Sequence, residues 1–177
     1  MNIAEKHKKA TKRKKFSGTF ADYLNLVEDD RSIVDLAHKR LYKTILGEGV
    51  TKLSPEDPRC ANLFNSETLK TYDYFQSKFF GMERPLAKVM RYLHSAALKG
   101  EESRQVLLLL GPVGAGKSAL VEHIKRALEA SGPLYQLKDC PIQEEPIHLI
   151  PRGLREEFKN IYGIRVEGDL CPVCRHR

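Results

Sequence analysis

The stretch "LLLLGPVGAGKSAL" at 107–120 contains residue types suited to holding phosphates. Gly111, the four residues Pro112, Val113, Gly114 and Ala115, then Gly116, Lys117 and Ser118, satisfy GxxxxGK[ST] in full. The glycines let the backbone coil tightly, so that successive N–H groups of 114–118 converge on a phosphate at a helix N-terminus. Lys117 adds a mobile positive charge that can reach β- and γ-phosphate oxygens, and Ser118 offers a hydroxyl ligand to Mg²⁺. The match lies between an apolar run and an amphipathic stretch. That setting separates a working phosphate loop from a glycine turn that binds nothing.

Moving a phosphate usually requires an acidic residue at the end of a second apolar strand. No run of four apolar residues followed by Asp occurs downstream. "LYQLKD" ends at Asp139 but is broken by Gln136 and Lys138, "IRVEGD" ends at Asp169 and is broken likewise, and Glu144 and Glu145 follow a proline turn. The stretch after Ser118 is short for a whole nucleotide-binding sheet, so the fold reads as incomplete at its C-terminal side.

A second constellation is "GDLCPVCRHR", where Cys171 and Cys174 stand at CxxC spacing. Such a knuckle supplies two positions of a tetrahedral zinc site. Cys140, Cys60, His148 or His176 could supply the rest; reduced cysteines at a tight turn are the alternative. A redox dithiol is disfavoured because the pair does not open a helix after a strand. His38 and His94 lie on helices without metal-type partners at i+4.

These residues need elements to position them. "QVLLLL" is short, continuous and apolar, which suits a buried parallel strand. A helix over about 117–130 follows, with Leu120, Ile124, Ala127 and Leu128 inward, and "GPLYQLKDC" alternates as a second strand. Strand, turn, helix and strand imply a right-handed crossover in a parallel sheet. Ahead of it, "RPLAKVMRYLHSAALKG" has helical spacing at Leu86, Val89, Met90, Leu93 and Ala97, and "SETLKTYDYFQSKFFG" reads as another helix. Further upstream, Thr19 starts a short helix in "GTFADYLNLVEDD". "SIVDLAHKRLYKTILGEG" reads as one helix with a stripe from Ile33 to Leu46, ended by Gly47. Residues 48–65, with Pro55 and Pro58, form a connector. The expected division is a basic tail at 1–15, a helical segment and connector at 16–65, and a nucleotide-binding domain at 66–177.

Composition bounds the partners. The content is 41% hydrophobic and 30% charged, that of a globular chain. The longest apolar run, 106–110, is far below the ~20 residues of a membrane helix, so no membrane partner is expected. No secretory signal opens the sequence, and the cytoplasm is the default location. The net charge of +7 is concentrated at Lys6, Lys8, Lys9, Lys12, Arg13, Lys14 and Lys15 against Glu5 alone. No aromatic or motif accompanies this run, so it reads as a solvated leader and nucleic acid is not an expected partner.

Taken in order, "GTFADYL", "AHKRLYKTI", "FFGMERPLAKVMRYLHSAA", "LLLLGPVGAGKSALVEHIKRALE", "CPIQEEPIHLIP", "LREEF" and "YGIRVEGDLCPVCRHR" resemble the N-terminal region of PrkA-type serine protein kinases. The resemblance covers about 16–177, and the segment from "CPIQEEPIHLIP" onward is its most distinctive part. It implies an α/β fold: a P-loop NTPase of AAA type, its parallel sheet incomplete here, preceded by an N-terminal helical segment. It also implies ATP and Mg²⁺ as cofactors, serine/threonine kinase activity on a protein substrate, and homo-oligomers by analogy with AAA proteins. The ATP cradle carries over to residues 111–118, and Phe79, Phe80 and Gly81 stand where AAA domains often contact adenine. The chain departs from the family pattern by ending before the kinase-like region: it holds no Gly-rich kinase loop, catalytic-loop motif or DFG. Two other readings are an AAA-type ATPase that remodels or delivers proteins, and a nucleotide-sensing module without catalysis.

Overall fold

Among the described residues, apolar side chains collect in two main cores, each inside its own unit of chain, and in a small cluster of Leu53 and Leu69. One unit comprises Met1–Val34 with Leu134–Arg177, the other Asp35–Pro133. The computed structural model describes residues 16–54, 57 and 69–176; the basic tail, Cys60, Pro55, Pro58 and Arg177 lie outside them.

In the second unit, α2 (Ala37–Gly47), α4 (Glu83–Ala97) and α5 (Lys117–Ala130) pack around Ile45, Phe75, Met90, Leu93, Leu120 and Ala127. Leu86, Val89, Met90 and Leu93 are buried at the expected helical spacing, with Ala96 completing the stripe in place of Ala97. Each fully buried side chain of this size contributes about 1.5–3 kcal/mol over an exposed one, so this cluster holds the unit together. Two strands, β1 (Val50–Lys52) and β2 (Lys70–Tyr72), pair antiparallel with Thr51 opposite Thr71. The one-turn helix α3 (Asp73–Gln76) follows directly. The expected helix over 66–81 is thus a strand and a single turn over its described residues.

The first unit holds α1 (Phe20–Asp29), α6 (Arg155–Tyr162) and the one-turn α7 (Pro172–Arg175). Its core is Tyr23, Val27, Ile147, Ile150, Phe158 and Val166. Thr19 caps α1 as expected: its hydroxyl accepts from the Asp22 N–H, and the Asp22 carboxylate accepts from the Thr19 N–H at 2.8 Å.

Two expectations are corrected. The single helix expected over 32–47 is broken, with a 3₁₀ turn at Arg31–Val34 and α2 restarting after Leu36, whose backbone is extended at φ −63°, ψ 156°. Ile33 and Val34 pack with the first core and Leu41 and Ile45 with the second, so the stripe serves two clusters. Asp35 holds Lys39 and Lys43 at 2.6 and 2.5 Å, placing negative charge at the start of α2. Secondly, neither "QVLLLL" nor "GPLYQLKDC" forms a strand, and the only sheet among the described residues is the antiparallel β1–β2 pair. A parallel strand takes its ladder and its cover from neighbours. Val106, Leu108 and Leu110 are 91%, 72% and 85% exposed, and only Leu109 of this run packs on the core.

Candidate nucleotide-binding site

The glycine loop and α5 adopt the geometry that their residue types dictate. Gly114 and Gly116 have φ of +82° and +75°, the left-handed region that side chains strain to reach. Gly116 is the N-cap of α5, which begins at Lys117, and its carbonyl accepts from the Leu120 N–H at 2.9 Å. Leu120, His123 and Ala127 bury the helix's inner face. Residues 111–114 and Ser118 are exposed, and Ala115, Gly116 and Lys117 are half-buried. The first-turn N–H groups of α5 have no partner inside the helix and carry its positive dipole end.

Lys117 folds over the same loop. Its ammonium donates to the carbonyls of Gly111 and Pro112 at 2.8 and 2.6 Å. A Cβ at Gly114 would meet nothing within 4 Å, so space at the mouth is open. Residues 111–118 thus form a glycine turn running into α5, with the Lys117 ammonium folded onto the turn's own carbonyls.

Met82, which follows the Phe79–Gly81 segment, borders this loop. A Cβ built on Gly116 would lie 3.8 Å from the Met82 sulfur. Phe79 is buried against Phe75 and His123, whereas Phe80 is 82% exposed. Of the aromatic pair, Phe79 belongs to the core and Phe80 is the ring free to meet a ligand. His123, which no motif marks, fixes this arrangement: its Nε2 donates to the Tyr74 carbonyl at 2.9 Å, and the Tyr74 hydroxyl donates to the His123 carbonyl at 2.7 Å.

The acidic groups weighed for metal or water chemistry have other partners. Asp169 is clasped by Arg152, with Nε–Oδ1 at 3.0 Å, and by Arg155 at 3.4 Å; the Arg152 guanidinium holds its carboxyl below the usual range. Glu144 is buried and accepts from the Cys171 N–H at 2.9 and 3.1 Å and from His148 Nδ1 at 3.2 Å. Burial works against its charge, but these donors outweigh burial and lower its pKa.

The cysteine pair is joined by Cys140 and Glu144: one ligand atom from each of the four lies within 4.8 Å of the others. The Cys140 and Cys171 sulfurs are 3.9 Å apart, and the Cys174 thiol is pushed up to about 12 by burial and by the neighbouring sulfurs. His148 and His176 are outside this cluster, and His94 faces Tyr42 at 5.1 Å. Glu144 was not legible as part of it; the available signal was that Cys140 and Cys171 are each followed by proline. Among the described residues, no helix is long and apolar enough to cross a membrane.

The chain is 38% identical over 175 residues to the ATP-dependent protease PrkA of Bacillus subtilis, covering 96% of this chain and 26% of that protein. It is 34% identical over 172 residues to the serine/threonine kinase YeaG of Escherichia coli K12, covering 93% and 26%. It thus spans about a quarter of the length of these relatives. No solved structure matches it. The PrkA AAA domain family matches residues 18–177, and the chain belongs to that family.

Proposed function

We propose that this chain binds Mg·ATP through residues 111–118, as the nucleotide-binding part of a PrkA-like serine/threonine protein kinase. The observation that carries this is the conjunction at one helix start of two left-handed glycines, an exposed loop and the Lys117 ammonium. The N–H groups of 114–118 bind phosphate oxygens. Lys117 exchanges its two carbonyl partners for charge-assisted bonds, which are roughly twice as strong as neutral ones. Ser118 ligates Mg²⁺ through its hydroxyl, and Phe80 offers a face to the adenine. When bound, ATP supplies the phosphoryl group whose transfer or hydrolysis the whole protein uses.

The kinase reading rests on the sequence resemblance and on the name of the Escherichia coli relative. The name of the Bacillus subtilis relative favours a second reading, an AAA ATPase that delivers or remodels protein substrates for cleavage. Both readings need a protein substrate and the same cradle.

Ser118→Ala tests the cradle. Nucleotide binding by the variant should lose most of its dependence on Mg²⁺ while retaining Mg²⁺-free affinity; an unchanged Mg²⁺ dependence would count against the assignment. In the whole protein, labelled γ-phosphate appearing on substrate serine supports the kinase. ATP-dependent substrate cleavage without label transfer supports the second reading.

A further inference from the structure

The chemistry that the phosphate loop leaves unused is concentrated in the first unit. Cys140 and Cys171 are buried, Cys174 is half-buried, and all three are free thiols. They converge from two turns of matching sequence, "CPIQE" and "CPVCR". In each turn the leading sulfur accepts a backbone N–H: Cys140 from Glu144 and Cys171 from Cys174, both at 3.4 Å. Such bonds orient a sulfur.

We propose that Cys140, Cys171, Cys174 and Glu144 form a tetrahedral zinc site that staples the 140–144 turn to the 171–175 knuckle. The dimensions match. Two sulfurs each ~2.3 Å from a tetrahedral zinc stand about 3.8 Å apart, and the Cys140 and Cys171 sulfurs are 3.9 Å apart. A disulfide would need about 2.05 Å. The second knuckle supplies two sulfurs. The first supplies only Cys140, because Gln143 stands where Cys174 stands in the other, and Glu144 provides the missing ligand one residue later. Its side chain is 4% exposed, and a carboxylate this deep beside three thiols calls for a cation. His148 Nδ1 and the Cys171 N–H hold the carboxylate in place, as outer hydrogen bonds orient a metal ligand. Thiolates select zinc over hard cations.

The test uses the whole chain, produced with zinc supplied, washed with a weak chelator and assayed for metal. About one zinc per chain is expected, and Cys140→Ser or Cys174→Ser should leave less than a tenth of that. Cobalt in place of zinc should give the intense absorption of tetrahedral thiolate coordination. Glu144→Gln should weaken zinc in chelator competition by at least about tenfold. Wild-type protein with under a tenth of an equivalent, or with Cys140 and Cys171 joined in a disulfide, would overturn the site even if the cysteine variants fail to fold. Undiminished affinity in Glu144→Gln would overturn the fourth ligand.

Discussion

Tyr74 and His123 exchange hydrogen bonds to each other's backbone carbonyls, and their rings stack with centroids 4.3 Å apart. The pair ties α5, which carries the phosphate loop, to the turn that leads into Phe79 and Phe80. Under the proposed function these are the two elements that meet the nucleotide, and the pair fixes one to the other. Tyr74→Phe removes one hydrogen bond while keeping the stacked ring. Urea unfolding should show a loss of about 1 kcal/mol and weaker nucleotide binding. Unchanged stability would mean that the hydroxyl contact contributes nothing.

Gly114 gives a separate test of loop geometry. Its φ of +82° is strained for any side chain, yet a Cβ there meets no atom. Gly114→Ala should therefore cost only the left-handed penalty, about 1–2 kcal/mol, paid as the loop relaxes. The expected result is reduced nucleotide affinity with a melting temperature lowered by only about 2–8 °C. A large fall in melting temperature would show that the loop is packed rather than open.

The cap of α1 carries a pH dependence. Hydrogen bonds from the Thr19 N–H and hydroxyl lower the Asp22 pKa below its ordinary value. A depressed folded-state pKa stabilises above the unfolded value, and that contribution is lost as pH falls through the folded value. Thermal melts of wild type and Thr19→Ala should therefore differ most at neutral pH and less as pH falls below the ordinary aspartate value of ~3.9, where only the bond that the Thr19 hydroxyl accepts from the Asp22 N–H still separates them. A difference that persists undiminished at low pH would contradict the capping-box account.

Sequence reasoning reached furthest where one local rule decides the outcome. Thr19 and Asp22 make a cap by spacing alone, Leu86, Val89, Met90 and Leu93 make a stripe by period, and Gly116 and Lys117 bound α5 where the motif places them. It fell short where partners are distant. β1 is exposed throughout and in β2 only Thr71 is buried, so no apolar alternation announces that hairpin. The break at Leu36 follows from two clusters claiming one stripe, which periodicity cannot divide. "QVLLLL" has the composition of a covered strand, but cover is a property of neighbours, and Leu108 and Leu110 have none among the described residues. Glu144 was readable as an acidic residue, but its meeting with Cys171 spans 27 positions.

The central claim is that Lys117 and its loop hold the phosphates of ATP. Calorimetric titration of Mg·ATP into wild type and Lys117→Ala tests it most directly. Loss of a charge-assisted contact is worth about 1.5–3 kcal/mol, so the variant should bind roughly 10- to 100-fold more weakly. Equal affinity in the two proteins would contradict the assignment.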